Sequence, residues 1–223
     1  MSHQRIAIID YGAGNLRSAA KAFSHVVNEE GLSAEVFITD KAEEVAGADR
    51  IVLPGQGAFG DCISGLKKVN GMVEALEEAV LRKSVPFFGI CVGMQLMASR
   101  GLEFGEHQGL GWIPGDVRKM TPADSALKIP HMGWNGLHIN DHAPHDVLRG
   151  ITKKPDGSLP DFYFVHSFVF DCKDTAHVAA WCDYGEKFTA VVARDNMIGC
   201  QFHPEKSQSA GLDLIRGFVH WKP

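Results

Sequence analysis

Four short apolar runs, separated by stretches of helical period, constrain the fold of the first hundred residues. Ile6–Asp10 closes at Tyr11-Gly12, Ala34–Ile38 follows, Arg50–Leu53 ends in Pro54-Gly55-Gln56-Gly57, and Val85–Ile90 runs into Cys91. Runs this short and apolar read as strands buried on both faces. From Asn15, Leu16, Ala19, Ala20, Phe23, Val26 and Val27 share a helical face that Gly31 ends. Asp40 is placed to cap a short helix through Val45, and Met72–Lys83 brings Val73, Leu76, Val80 and Leu81 together. A further helix is expected over Gly93–Arg100. Parallel strands can be joined only through a crossover, so this alternation predicts an α/β fold. The expected architecture is a doubly wound, mostly parallel sheet with helices on both faces.

After Arg100 the texture changes. Val117–Met120, Gly136–Asn140, Tyr163–Asp171, His177–Asp183, Phe188–Arg194 and Ile198–Phe202 follow one another as strands, with Asp195-Asn196 as a tight hairpin. They are expected as an antiparallel strand annex on the parallel sheet. No flexible linker separates the two parts, so residues 1–223 are expected to form a single domain. Ala210–Trp221 closes the chain as an amphipathic helix packed through Leu212, Leu214, Ile215, Phe218 and Val219.

Charge and composition narrow the function. The net charge is −5, and no basic block exceeds Lys153-Lys154, so nucleic acid and membrane surfaces are excluded as partners. The longest apolar runs are far short of the ~20 residues of a membrane span, and no signal-peptide pattern precedes the first strand; a cytoplasmic location is expected. The 5 cysteines are odd in number and show no C-x-x-C spacing, which argues against a disulfide framework or a zinc cage. One of them can be a working thiol.

Gly89-Ile90-Cys91-Val92-Gly93 lies between a predicted strand and a predicted helix. This is the thiol form of a nucleophile elbow. A strand turning directly into a helix strains the corner residue and crowds its neighbours, so glycines flank it. The helix N-terminus would favour the thiolate, and the Val92 N–H could serve a developing oxyanion. His203-Pro204-Glu205 ends a later strand. Proline biases His203 toward extended geometry, in which Glu205 would project to the same side and fix the imidazole tautomer. Pro54-Gly55-Gln56-Gly57 ends the third strand, at the sheet edge where open α/β sheets bind ligands. Each segment alone has a plainer reading: an inert buried cysteine, a surface histidine, an ordinary Pro-Gly turn. Together they form nucleophile, base, orienting carboxylate and oxyanion loop.

With Met94-Gln95 after the elbow, these segments resemble the class I (triad) glutamine amidotransferases. Within that family, Asp10–Leu16, Pro130–Asn135, Tyr163–Ser167 and His203–Ser207 resemble the glutaminase subunits of imidazole glycerol phosphate synthases, and the likeness runs from Ile6 to the final helix. The resemblance implies that Cys91 attacks the glutamine carboxamide, with His203 and Glu205 completing the triad. It implies an oxyanion site of Val92 with Gln56 and Gly57, and a glutamine grip from Gly55, Gln95, Glu103, Ser167 and Phe168. It implies a heterodimer with a (β/α)8-barrel cyclase subunit, contacted through Asn15, His131, Met132, Gly133, Trp134 and Asn135. The sequence departs from the family's usual pattern at Gln56, where valine is more common. A glutaminase serving another acceptor synthase, a stand-alone thiol amidohydrolase and a non-catalytic binding subunit are the alternatives.

Nothing in the sequence asks for a cofactor or metal. Gly12-Ala13-Gly14 begins a dinucleotide fingerprint, but its third glycine falls on Arg17. His138, His142 and His145 with Asp141 and Asp146 lack rigid ligand spacing and read as a polar loop.

Overall fold

The computed structural model of the chain describes residues 3–223. An eight-stranded sheet runs through it in the order β2-β1-β3-β4-β14-β13-β12-β9. Its parallel part comprises β1 (Gln4–Ile9), β2 (Ala34–Thr39), β3 (Arg50–Gly55), β4 (Phe87–Cys91) and β14 (Met197–Cys200). Beyond β14 the pairing turns antiparallel through β13 (Lys187–Arg194), β12 (Val178–Asp183) and β9 (His138–Ile139). Ile6, Ile8, Ile51, Val52, Phe87 and Phe88 are fully buried, as strands covered on both faces require.

Successive residues of β4 point to opposite faces. Phe88 meets Phe23 of α1 (Leu16–Glu29) and Phe218 of α7 (Gln208–His220), with ring centroids 6.3 Å and 5.2 Å away. Phe87 instead meets Trp112 edge-on at 5.0 Å. α7 is also tied to the sheet by Arg50 at the start of β3. Its guanidinium donates to the carbonyls of Phe218 and Trp221 at 2.9 Å and 2.7 Å, a cation at the negative end of a helix. α1, α7 and α6 (Asp146–Arg149) form one helical layer, and α2 (Ala42–Ala46), α3 (Phe59–Lys68) and α4 (Met72–Glu77) form the other.

Several expected boundaries move. The helix from Met72 gives way at Glu78–Arg82 to a π-turn, which sends Ala79 and Val80 inward and leaves Leu81 49% exposed. At α2 the N-cap position falls on Lys41 rather than Asp40, without a side-chain capping bond, and α3 is a helix beyond those expected. The helix expected over Gly93–Arg100 is only α5 (Val92–Gln95). Its next carbonyls, from Leu96, Met97 and Ala98, are taken by the N–H groups of Leu110, Ile113 and Gly111, so the chain turns away.

The antiparallel annex is not one sheet. The expected strand Tyr163–Asp171 breaks at Ser167 into β10 (Asp161–His166), paired with β8 (His131–Gly136), and β11 (Phe168–Cys172), paired with β7 (Gly115–Lys119). β5 (Arg100–Gly101) and β6 (His107–Gln108) extend the β11–β7 sheet. The strand expected over Gly136–Asn140 splits likewise, between β8 and β9. Asp195-Asn196 does form the hairpin turn, between the paired residues Arg194 and Met197. That hairpin returns β14 to lie parallel against β4, with Cys200 opposite Ile90. The carboxyl ends of β3, β4 and β14 thereby meet at one edge.

Candidate active site

Cys91 is the last residue of β4 and the N-cap of α5, with φ 55° and ψ −113°. A non-glycine residue there costs about 1–3 kcal/mol and persists only when its surroundings impose it. Here the glycines make the corner possible. A Cβ on Gly93 would collide with the carbonyl of Leu53 in β3, and one on Gly89 would lie 2.7 Å from the Gly93 oxygen. Cys91 opens into a cavity of about 250 Å³ and is otherwise buried, 4% exposed. Burial pushes the thiols of Cys172 and Cys182 up to about 12 and raises those of Cys62 and Cys200.

His203 reaches the same cavity from the end of β14. Its backbone is held at both ends: its N–H donates to Tyr163 at 2.9 Å, and its carbonyl accepts from the Ser207 hydroxyl at 2.7 Å. The Ser207 oxygen in turn accepts from the Tyr163 N–H at 3.0 Å. Imidazole Nδ1 lies 2.9 Å from Glu205 Oε1, and both side chains are almost fully buried. Glu205 sits in a 3₁₀ turn (Pro204–Lys206), not in the extended geometry expected from the sequence. The tight turn folds the carboxylate back onto the ring two residues before it. Glu205 Oε2 is buried without a hydrogen-bond partner, so the imidazolium is the group placed to balance this charge. Burial pulls the His203 pKa down, but its hydrogen bonds and charge interactions with Cys91 and Glu205 outweigh that and raise it to about 9.

The other expected site residues fall around this pair. Gln56, Gly57 and Val92 line the cavity, as do Gln95, Glu103, Ser167 and Phe168. Gly55 lies beneath, paired with Cys91 across β3 and β4. The Gln56 carbonyl accepts from the Cys62 thiol at 3.4 Å, on the α3 side of the loop. In a planar trans peptide the following N–H, that of Gly57, points the opposite way. Glu103 Oε2 accepts the Phe59 N–H at 2.9 Å, at the first turn of α3. The break at Ser167 turns the Phe168 carbonyl inward, where it accepts from Gln95 Nε2 at 3.1 Å.

The expected interface residues divide by the alternation of β8. Met132 and Trp134 are 62% and 47% exposed, whereas Gly133 and Asn135 are partly covered, and Asn135 Nδ2 donates to the Asp183 carbonyl at 2.8 Å. Asn15 is exposed at the start of α1. His131 departs from a surface role. It is 3% exposed and stacked between Phe164 and Tyr184, with ring centroids 5.0 Å and 4.0 Å away.

Two further polar residues lie close to these groups, His166 in the cavity wall and Gln201 against the Cys91 sulfur. His166 Nδ1 lies 3.0 Å from the Phe168 carbonyl; a carbonyl only accepts, so Nδ1 carries the proton. Gln201 is fully buried with Nε2 3.7 Å from Cys91 Sγ. Its signal in the sequence was a polar residue at the end of an otherwise apolar strand, two before His203. A larger cavity of about 690 Å³ lies over β12 and β13 near Trp181 and Lys187 and shares none of these groups. Among the described residues, no cluster of three or more His, Cys, Asp or Glu is placed to hold a metal. No helix among them is long and apolar enough to cross a membrane.

Such a site can carry out nucleophilic acyl transfer: a thiol at an elbow and a buried base with its carboxylate, in one cavity lined by the loop residues Gln56 and Gly57. Comparison with known proteins agrees with that chemistry. Residues 7–220 match the family described as glutamine amidotransferase class-I. The chain is 58% identical over 219 residues to the imidazole glycerol phosphate synthase subunit HisH of Brucella suis biovar 1 (strain 1330), covering 98% of this chain and 100% of that one. The HisH subunits of Agrobacterium fabrum (strain C58) and Rhodospirillum rubrum are 57% and 53% identical over the same shares. Among solved structures, a glutamine amidotransferase at 18% identity superposes with a TM-score of 0.66, covering 96% of each chain, a likeness of fold. Another, from Thermotoga maritima, is 17% identical with a TM-score of 0.59, covering 92% of this chain and 77% of that one. With a match over nearly its whole length, the chain belongs to the class-I glutamine amidotransferase family and, within it, to the group of HisH subunits.

Proposed function

We propose that this chain is the glutaminase subunit of an imidazole glycerol phosphate synthase, a single cytoplasmic domain that releases ammonia from glutamine for a (β/α)8-barrel cyclase partner. The observation that carries the reading is that Cys91 and His203 line one cavity sized for one amino acid, with Glu205 2.9 Å from imidazole Nδ1. With its pKa raised to about 9, His203 holds the proton at neutral pH. The Cys91 sulfur attacks the side-chain carboxamide carbon of glutamine, and the C=O electrons move onto oxygen. The N–H groups of Val92 and Gly57 receive that oxyanion, the first at the N-terminus of α5, where backbone donors lack intrahelical partners. Collapse breaks the C–N bond, and the His203 proton goes to the leaving nitrogen, giving ammonia and a thioester. His203, now neutral, takes a proton from water as it attacks the thioester, and glutamate leaves with Cys91 restored. Glu205 keeps the imidazole aimed throughout. Gly55, Glu103, Ser167 and the Phe168 backbone frame the amino-acid end.

Met132, Trp134 and Asn15 present the face that meets the partner, and in the complex ammonia passes to the cyclase without entering bulk water. The test is glutamate release by the purified chain, alone and with the barrel cyclase carrying its ribonucleotide ligand. Slow turnover alone and a large rise with the loaded partner are expected. Equal, fast turnover in both would make the chain an independent hydrolase.

A further inference from the structure

Gln201 follows Cys200 at the end of β14, and its backbone N–H still donates to Ala190 of the hairpin partner at 2.9 Å. Its side chain is fully buried between two polar neighbours. Oε1 accepts from Gln95 Nε2 at 3.0 Å, and Nε2 lies 3.7 Å from the Cys91 sulfur. Which end of the amide faces the sulfur follows from a chain of donors and acceptors. The Phe168 carbonyl can only accept, so the NH2 of Gln95 must point at it. The second proton of that NH2 reaches Gln201, which must present its oxygen there. The NH2 of Gln201 is therefore turned toward Cys91.

We propose that Gln201 is a further catalytic residue: its carboxamide donates an N–H to the Cys91 sulfur and holds the thiolate for attack, with Gln95 fixing the direction of that amide. The inference rests on Cys91 being the nucleophile. A buried thiolate needs donors, and one from a neutral amide adds no second positive charge beside His203. Hydrogen bonds to an ionised acceptor are about twice as strong as neutral ones, so the contact is strongest before attack and weakens once the sulfur is acylated. A consequence follows for Gln95. Both protons of its NH2 are engaged inside the protein, which leaves Oε1 to accept from the substrate's ammonium group.

The test is alkylation of Cys91 by iodoacetamide in the full-length chain, followed by mass spectrometry of the Cys91 peptide, from about pH 5 to about pH 9. The parent is compared with Gln201→Glu, which keeps the bond to Gln95 but turns an oxygen toward sulfur, and with Gln201→Met, which keeps the length and removes both polar ends. Both variants should move the alkylation profile to higher pH, by about one unit for methionine and more for glutamate. Glutamine turnover should fall about tenfold or more in kcat, with KM changed less than about threefold. A folded Gln201→Met variant whose profile superimposes on the parent's would overturn the proposal. If that variant does not fold, Gln95→Met, which frees the amide to rotate, must give a smaller shift in the same direction; no shift again overturns it. A parent chain that is not alkylated at Cys91 would instead remove the nucleophile assignment itself.

Discussion

Two pairs of buried groups built on histidine flank the pocket, one an ion pair and the other uncharged. His203 and Glu205 follow β14, while His131 and His166 bond across β8 and β10 at 3.2 Å. All three imidazoles are desolvated, and burial alone pushes an imidazole toward the neutral form. In the second pair little opposes it: burial brings His131 down to about 4, and burial with the neighbouring His131 brings His166 to about 3. Because His166 Nδ1 donates to the Phe168 carbonyl, its Nε2 must accept from His131 Nδ1, a fixed neutral relay. His203 differs by one carboxylate and one sulfur, and these raise it to about 9. The same side chain at similar burial is protonated at neutral pH in one place and neutral in the other; its partner decides which.

The largest expected effect breaks the comparison outright. Cys91→Ala and His203→Ala should each lower glutamine hydrolysis by about 10⁴-fold or more, because members of a triad act as a unit. His166→Gln, which can still accept from His131 and donate to the Phe168 carbonyl, should stay within about tenfold of the parent. Glutamate release under saturating glutamine measures all three, and equal losses at His166 and His203 would erase the distinction. Glu205→Gln comes next. It keeps the shape but removes the charge, and hydrolysis should fall by about 10²–10⁴-fold. His203 should then titrate lower, toward the range of the other two histidines, as read by NMR of the imidazole protons. An unmoved His203 would mean that Cys91 alone sets its protonation.

The two pairs also give opposite dependences of stability on pH. His131 and His166 have folded values of about 4 and about 3, below the usual 6.5, so the unfolded chain binds more protons between about 3 and 6.5. Their contribution is fully present above 6.5 and lost as the pH falls through that window. His203 has its folded value above 6.5; its contribution is full below 6.5 and lost as the pH rises toward about 9. Urea unfolding should therefore show a loss of up to a few kcal/mol from neutral pH to about 4.5, and His166→Gln should flatten that limb. An unchanged acid limb in the variant would show that other groups cause it.

The sequence made the first half of this site legible and left the second half dim. Cys91 was readable because an elbow needs glycines at fixed offsets, and the same crowding that demands them is seen at Gly93 against Leu53. The pairing of His203 with Glu205 was legible from their spacing, though the turn joining them was not. A 3₁₀ turn and an extended segment both bring residues two apart within reach when one is a long carboxylate. Ser167 was reached only through the resemblance of Tyr163–Ser167, with no sign that the strand breaks there, and Gln201 carried little local signal. The chain changes sheets at Ser167 because β8 and β7 compete for different segments of it, a tertiary outcome that no period records. Gln201 acquires its neighbours only when the hairpin lays β14 against β4, 110 residues from Cys91 in sequence.

The smallest effect tests the alternation of β8, where His131 faces the core while Met132 and Trp134 face outward. Trp134 still leans on Tyr163, with ring centroids 5.9 Å apart and nearly perpendicular, so some of its area is buried within this chain. Removing it should cost the isolated chain no more than about 1 kcal/mol, the worth of one aromatic pair at a surface. Its exposed remainder is the kind of aromatic anchor that carries a disproportionate share of an interface, so Trp134→Ala should weaken cyclase binding by about tenfold or more. Titration calorimetry with the partner and urea unfolding of the chain alone separate the two. A variant that loses stability but keeps its affinity would put Trp134 with His131, as packing for this subunit. A variant that keeps its stability and loses affinity would give β8 two different duties on its two faces, the inward one arranging neutral imidazoles behind the pocket and the outward one receiving the enzyme that uses the ammonia.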